Sequence, residues 1–277
     1  MALIQMDLMS ESLMRTVPVN VILPADKITF PGMPKHTCGD FKTLYLLHGV
    51  FGSRMDWVSG TNIQRWAEER DLAVVMPSGE NMFYVDQEKA HNYYGEFIGK
   101  ELVELTRKMF RLSEKREDTF IAGLSMGGYG ALRNGLKYHE TFGCIGALSA
   151  ALITRNLDKR SNETPIFIEG RDFAESVFGN LAGVKESDKD LYFLTDRMRR
   201  DKIEFPKIYM CCGEQDTLLN ENRMLAEFFR KNEIPVTYEE GPGAHDWDFW
   251  NRYIKNILEW LPLSGNAAGM SSGNVGI

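Results

Sequence analysis

The stretch from Thr119 to Leu132, TFIAGLSMGGYGAL, constrains this chain more than any other. It opens as a short apolar run of the kind that makes a buried strand. It breaks at Gly123-Leu124-Ser125-Met126-Gly127 and resumes as small and apolar residues suited to a closely packed helix. A serine between two glycines, where a strand turns sharply into a helix, has the pattern of a nucleophile elbow. The turn strains the serine backbone and presents its hydroxyl at the end of a sheet. The residues two before and two after must be small, because their backbones nearly touch the neighbouring strand and helix. The helix after the elbow aims its N-terminal N–H groups at any negative charge forming there. Five residues are also compatible with a glycine-rich turn and an idle serine. The rest of the chain must therefore supply an acid, a base and an oxyanion hole.

The surroundings suit a sheet. Ile4 to Met9 and Met14 to Leu23 are expected to be antiparallel strands, the second at or near a sheet edge because of Pro18. Pro24 to Asp40 is a loop. Leu44 to Leu47, Leu72 to Met76, Phe142 to Leu148 and Ile208 to Gly213 are nearly continuous apolar runs, predicting strands buried on both faces. Helical spacing marks Asn62 to Arg70, Tyr93 to Phe110 and Gly127 to Tyr138. It also marks Asn220 to Lys231, with Met224, Leu225, Phe228 and Phe229 inward, and Asp246 to Trp260. Val236 to Tyr238 is a last strand, and Glu80 to Asn92 a polar, aromatic loop. Alternating strands and helices predict an α/β fold with a mostly parallel sheet covered on both faces.

Residues 1–262 are expected to form one such domain. It carries a charged insertion at about 149–206, either a partial lid or a solvated excursion. Within it Phe173 to Phe178 and Asp188 to Arg199 are helical, the second capped by Ser187. Residues 263–277 are Gly/Ser/Asn-rich and are expected to be disordered.

A formal net charge of −7 with no basic stripe argues against nucleic-acid and anionic-membrane partners. Asp7 interrupts the first ten residues and no long apolar core comes after it, which predicts a cytoplasmic protein without a signal peptide. No apolar run is long enough to span a membrane. The cysteines, Cys38, Cys144, Cys211 and Cys212, form no Cys-x-x-Cys pair, so free thiols are expected rather than disulfides or metal ligands.

For a serine nucleophile on such a sheet, the chain order is nucleophile, acid, histidine. Five histidines exist, and only His245 comes after both Ser125 and a usable acid. It lies in the loop between the last strand and the last helix. Asp216, just past the strand ending at Gly213, is the expected acid, with Glu214 as the alternative. The acid would hold the imidazole in one tautomer and stabilise the imidazolium. The oxyanion donors are expected from the main chain of Met126, after the nucleophile, and of Val50, in the loop after the strand that ends in His48-Gly49. His48 is expected to brace that loop. Phe51 and Trp247 are candidate pocket walls, and equally candidates for the core.

Leu46-Leu47-His48-Gly49, Asp56-Trp57, Gly123-Leu124-Ser125-Met126-Gly127-Gly128, Asp216 and His245-Asp246-Trp247 together resemble the esterase D branch of the α/β-hydrolases. Within it the chain is most similar to bacterial tributyrin esterases, over about residues 3 to 262. The charged insertion is part of the likeness, through Val177-Phe178-Gly179 and the Ser187–Leu194 region. Related members include S-formylglutathione hydrolases and feruloyl or acetylxylan esterases. The resemblance implies an α/β-hydrolase fold and hydrolysis of short acyl esters, with a small-molecule ester as partner and no cofactor or metal. Oligomeric state is left open. The competing expectations are a thioesterase, a carbohydrate esterase and a non-catalytic binding protein.

Overall fold

Strands that are apolar on both faces need cover on both faces, and that requirement shapes this fold. The structure, a computed structural model, describes residues 2–28, 31 and 39–263. Its strands are β1 (Ala2–Ser10), β2 (Arg15–Leu23), β3 (Lys42–Leu47), β4 (Leu72–Pro77), β5 (Asp86–Gln87), β6 (Asn92–Tyr93), β7 (Thr119–Leu124), β8 (Cys144–Leu148), β9 (Lys207–Gly213) and β10 (Val236–Gly241). Its α-helices are α1 (Asp56–Gly60), α2 (Ile63–Glu69), α3 (Tyr94–Glu96), α4 (Leu102–Met109), α5 (Met126–Lys137), α6 (Arg171–Phe178), α7 (Leu191–Arg200), α8 (Leu219–Lys231) and α9 (Trp247–Trp260). His36, Cys38 and the segment from 264 onward lie outside the described residues.

Eight strands form one sheet in the order β1-β2-β4-β3-β7-β8-β9-β10. Neighbouring strands from β4 to β10 pair parallel, and β2 runs antiparallel to both β1 and β4. Alternation sorts the side chains. Leu44, Leu46, Phe120, Ala122, Leu124, Tyr209 and Cys211 join the core beneath α2 and α9. Tyr45, Leu47, Ile121, Ile208 and Met210 join the opposite core, against α4, α5 and α8. Pro18 sits where its missing N–H costs nothing on the β4 side, because that ladder begins at Val19↔Pro77. Among the described residues no helix is long and apolar enough to cross a membrane.

Several expectations need correction. The helix foreseen over Tyr93 to Phe110 is interrupted by a π-helical turn at Phe97–Glu101. One extra residue in that turn rotates α4, so Leu102, Val103 and Thr106 are buried while Met109 is exposed. The loop over Glu80 to Asn92 contains the β5–β6 hairpin, too short to show an alternating pattern. On α8, Leu225 and Phe229 point inward, but Met224 is exposed. The cap of α7 is Asp190, whose carboxylate accepts from the Tyr192 and Phe193 N–H groups. Ser187 instead donates to the Val184 carbonyl in the preceding turn.

Residues 149–206 link β8 to β9; residues 155–169 are largely exposed, and Phe173, Val177, Phe178, Leu191 and Leu194 are buried. Phe178 and Phe83 meet at 5.4 Å, and both rings contact Tyr129 of α5. The Tyr129 hydroxyl donates to the Lys189 carbonyl at 2.6 Å. Arg133 of α5, fully buried, binds Asp188 at 2.7 Å and Asp86 at 3.0 Å, and Lys137 binds the same two carboxylates.

Candidate active site

Ser125 lies between β7 and α5 with φ 53° and ψ −117°, a conformation that costs an L-residue of order 1–3 kcal/mol. Backbone bonds hold it there. Its N–H donates to the Leu148 carbonyl at 2.9 Å, and its own carbonyl accepts from the Ala151 N–H at 2.9 Å. The flanking glycines are required by close approach. A β-carbon on Gly123 would lie 2.4 Å from the Gly127 carbonyl oxygen, and one on Gly127 would lie 2.4 Å from that of Leu47.

Because β7, β9 and β10 run parallel, their C-terminal ends open on one edge of the sheet. Ser125, Asp216 and His245 come just after those three ends. His245 Nε2 lies 3.0 Å from Ser125 Oγ, and His245 Nδ1 lies 2.9 Å from Asp216 Oδ2. Burial raises the Asp216 pKa, but hydrogen bonds from His245, the Leu218 N–H and the Ser149 hydroxyl outweigh it and hold the carboxyl below its usual range. An ionised Asp216 accepts the Nδ1 proton, which leaves Nε2 to accept from the Ser125 hydroxyl. Asp246 caps α9 by accepting from the Phe249 N–H at 2.9 Å, which fixes His245 immediately before the helix. Glu214, the alternative acid, is exposed; its N–H donates to the Gly241 carbonyl, and the partner of His245 is Asp216.

The His48-Gly49 loop abuts the elbow: a β-carbon on Gly49 would sit 3.5 Å from that of Ser125. His48 Nε2 accepts from the Gly79 N–H at 2.8 Å, so its Nδ1 carries the proton and donates to the Gly49 carbonyl at 2.7 Å. Burial pushes the His48 pKa down, against the Gly49 carbonyl and Asp56. His48 is therefore a neutral brace. Val50 is the next turn residue after Gly49. Met126 opens α5, where an N–H has no intrahelical acceptor. Phe51 is 75% exposed at φ 64°, its N–H donating to Asn81 Oδ1 at 2.7 Å. Trp247 is half-buried and meets Trp57 and Trp250 edge-on at 5.5 and 5.2 Å, on the α9 side of the sheet.

Trp57 donates its indole N–H to the Leu47 carbonyl at 3.0 Å, which fixes the end of β3 beneath this loop. Trp57→Phe keeps an aromatic ring but removes this donor and part of the buried indole volume. A loss of about 1–3 kcal/mol is expected in urea-induced unfolding.

Two residues at the site carry no sequence signal. Ser149, fully buried, comes directly after β8 at φ 45°, and Trp250 of α9 meets the His245 ring at 4.9 Å. The cysteines Cys144, Cys211 and Cys212 are buried free thiols. Among the described residues, no group of three or more His, Cys, Asp or Glu side chains is placed to hold a metal ion.

The Esterase family model matches residues 10–261. An acetyl esterase of Caldicellulosiruptor saccharolyticus is 45% identical over 261 residues, which cover 94% of this chain and 98% of its own. The substrate-bound fluorophosphonate-binding serine hydrolase F of Staphylococcus aureus superposes with a TM-score of 0.82 at 32% identity, covering 94% of this chain and 98% of that one. The apoenzyme of an S-formylglutathione hydrolase from the same organism superposes at 0.80, again at 32% identity and with the same coverage.

Proposed function

The chain belongs to the Esterase family and is an ester hydrolase of the serine type, and from that premise we propose that it cleaves short-chain carboxylic esters through Ser125, His245 and Asp216. The observation that carries this reading is the hydrogen-bonded line from Ser125 Oγ through His245 to Asp216, set at a strained elbow.

Ser125 Oγ attacks the ester carbonyl carbon as its proton passes to His245 Nε2, and the carbonyl oxygen becomes an oxyanion. The Met126 and Val50 N–H groups receive that oxyanion, and the N-terminal end of α5 adds its dipole. His245 then gives the proton to the departing alcohol, leaving an acyl-serine. Water, deprotonated by the same imidazole, attacks the acyl carbon, and the proton returns to Ser125 as the acid leaves. Asp216 keeps its charge throughout and stabilises the imidazolium. Each step is complete without metal or cofactor.

Short acyl groups are favoured by the 45% identical relative named as an acetyl esterase. A thioester reading has support of its own, in the 32% identical structure named as an S-formylglutathione hydrolase. A panel of p-nitrophenyl acetate, butyrate and octanoate, methyl ferulate and S-formylglutathione separates the two. Acetate and butyrate are expected to lead, with kcat/KM lower by about tenfold or more for octanoate. A clear lead for S-formylglutathione would replace the ester reading with the thioester one.

A further inference from the structure

Ser149 is a non-glycine residue in left-handed backbone, fully buried, at the end of the strand beside the elbow strand. Its N–H donates to the Cys211 carbonyl at 2.8 Å. Glycine would occupy φ 45° without strain, so retaining a side chain here points to what that side chain does. Its oxygen lies 3.2 Å from Trp250 Nε1. An indole N–H only donates, so the Ser149 oxygen must accept there, and its single proton is left to point elsewhere. The charged acceptor nearby is the Asp216 carboxylate, whose lowered pKa owes part to the Ser149 hydroxyl. The other face of this arrangement is the base: the Trp250 and His245 rings meet at 88° with centroids 4.9 Å apart.

We infer that Ser149 and Trp250 are a positioning pair for the acid and base. The Trp250 N–H sets the direction of the Ser149 hydroxyl, and that hydroxyl fixes the rotation of the Asp216 carboxylate, while the Trp250 ring limits where the imidazole can swing. Three elements meet in this pair: the end of β8, the loop after β9 and α9. None of them carries Ser125. This role rests on the proposed use of Asp216 and His245. Cys212 is a second neighbour of both Ser149 and Asp216. Burial pushes its thiol up to about 12, so it stays protonated and offers one further weak donor.

The test uses Ser149→Ala, Ser149→Gly and Trp250→Phe in the full chain, with p-nitrophenyl acetate turnover, thermal melting and the low-field proton resonance of the His245–Asp216 hydrogen bond. Both Ser149 variants are expected to lose about 10- to 100-fold in kcat with KM nearly unchanged, because the acid is present but misaligned. Ser149→Gly is expected to melt no lower than Ser149→Ala, since glycine accepts the backbone, so lost activity in that variant is not lost folding. Trp250→Phe keeps an aromatic side chain, a smaller one, and deletes the donor. Its effect on kcat is expected to overlap that of Ser149→Ala, so that the double variant is little worse than Ser149→Ala alone. The low-field proton is expected to broaden in both Ser149 variants, a readout that needs no turnover. Ser149→Gly within about twofold of wild type in kcat, with an unchanged low-field proton, overturns the positioning role. Failure of the wild type itself to turn over esters or to react with a fluorophosphonate overturns the reading of the triad instead, and the low-field proton then still reports on Ser149.

Discussion

Ser125→Ala is expected to lower kcat for p-nitrophenyl acetate by about 10⁴-fold or more, with the fold intact. The bonds that hold residue 125 are main-chain bonds to Leu148 and Ala151, and alanine keeps both. What is lost is the Oγ atom 3.0 Å from His245 Nε2, and with it the acyl-enzyme route. Residual turnover would come from the oxyanion donors and substrate binding alone. Ser125→Gly is a useful control. It should be equally inactive, yet it releases the strain at φ 53°, so its melting temperature should not fall below that of Ser125→Ala. Fluorophosphonate labelling and subsequent peptide mapping check the same atom directly: wild type should be labelled at Ser125 and both variants should not. Retention of more than about a hundredth of wild-type kcat in Ser125→Ala would remove Ser125 as nucleophile. An unlabelled wild type would favour a non-catalytic binding protein.

That Ser125, Asp216 and His245 meet was legible because each needs only local information plus the order of the strands. A parallel sheet brings the C-terminal ends of its strands to one edge, so residues just after Leu124, Gly213 and Gly241 become neighbours whatever lies between them. The mostly parallel sheet was legible for the same reason: strands buried on both faces announce themselves as continuous apolar runs. Features that depend on long-range packing were not. The π turn at Phe97–Glu101 adds one residue to a helix whose apolar spacing looks unbroken. Ser187 and Asp190 both have capping chemistry and lie three residues apart, so only the backbone decides between them. Ser149 looks like any small residue after a strand. Its positive φ and its partners, Asp216 and Trp250, are 67 and 101 positions away in the chain. Phe51 and Trp247, two aromatics flanking site residues, separate cleanly in space: the first faces solvent beside Val50, the second packs on Trp57.

Arg133→Met is expected to cost about 3–5 kcal/mol at neutral pH, measured by chemical unfolding. Arg133 is fully buried on α5 and stands with Lys137 against Asp86 and Asp188, so the four charges balance. Methionine fills much of the volume but leaves two carboxylates facing one ammonium. Burial raises the pKa of both aspartates, and in the wild type the charges of Arg133 and Lys137 outweigh it, so both sit below their usual value. A folded-state pKa below the unfolded one stabilises the fold above the ordinary carboxylate range, and that contribution disappears as pH falls through the lowered values. Wild-type stability should therefore drop on acidification below about pH 4. In Arg133→Met burial is opposed by Lys137 without Arg133, the carboxylates take up protons more readily in the folded state than in the wild type, and the gap to wild type should narrow as pH falls from 7 towards 4. Restoring balance tests the electrostatic origin of the loss. Arg133→Met combined with Asp188→Asn leaves Lys137 paired with Asp86 alone, and should recover part of the stability lost in the single variant. If the double variant is as unstable as the sum of the two single ones, the network is not acting as a balanced set of charges. Because Asp188 belongs to the insertion and Arg133 to the helix that begins at Met126, the same variants should loosen residues 149–206 from α5, seen as faster amide exchange in α6 and α7 than in β7 and β8.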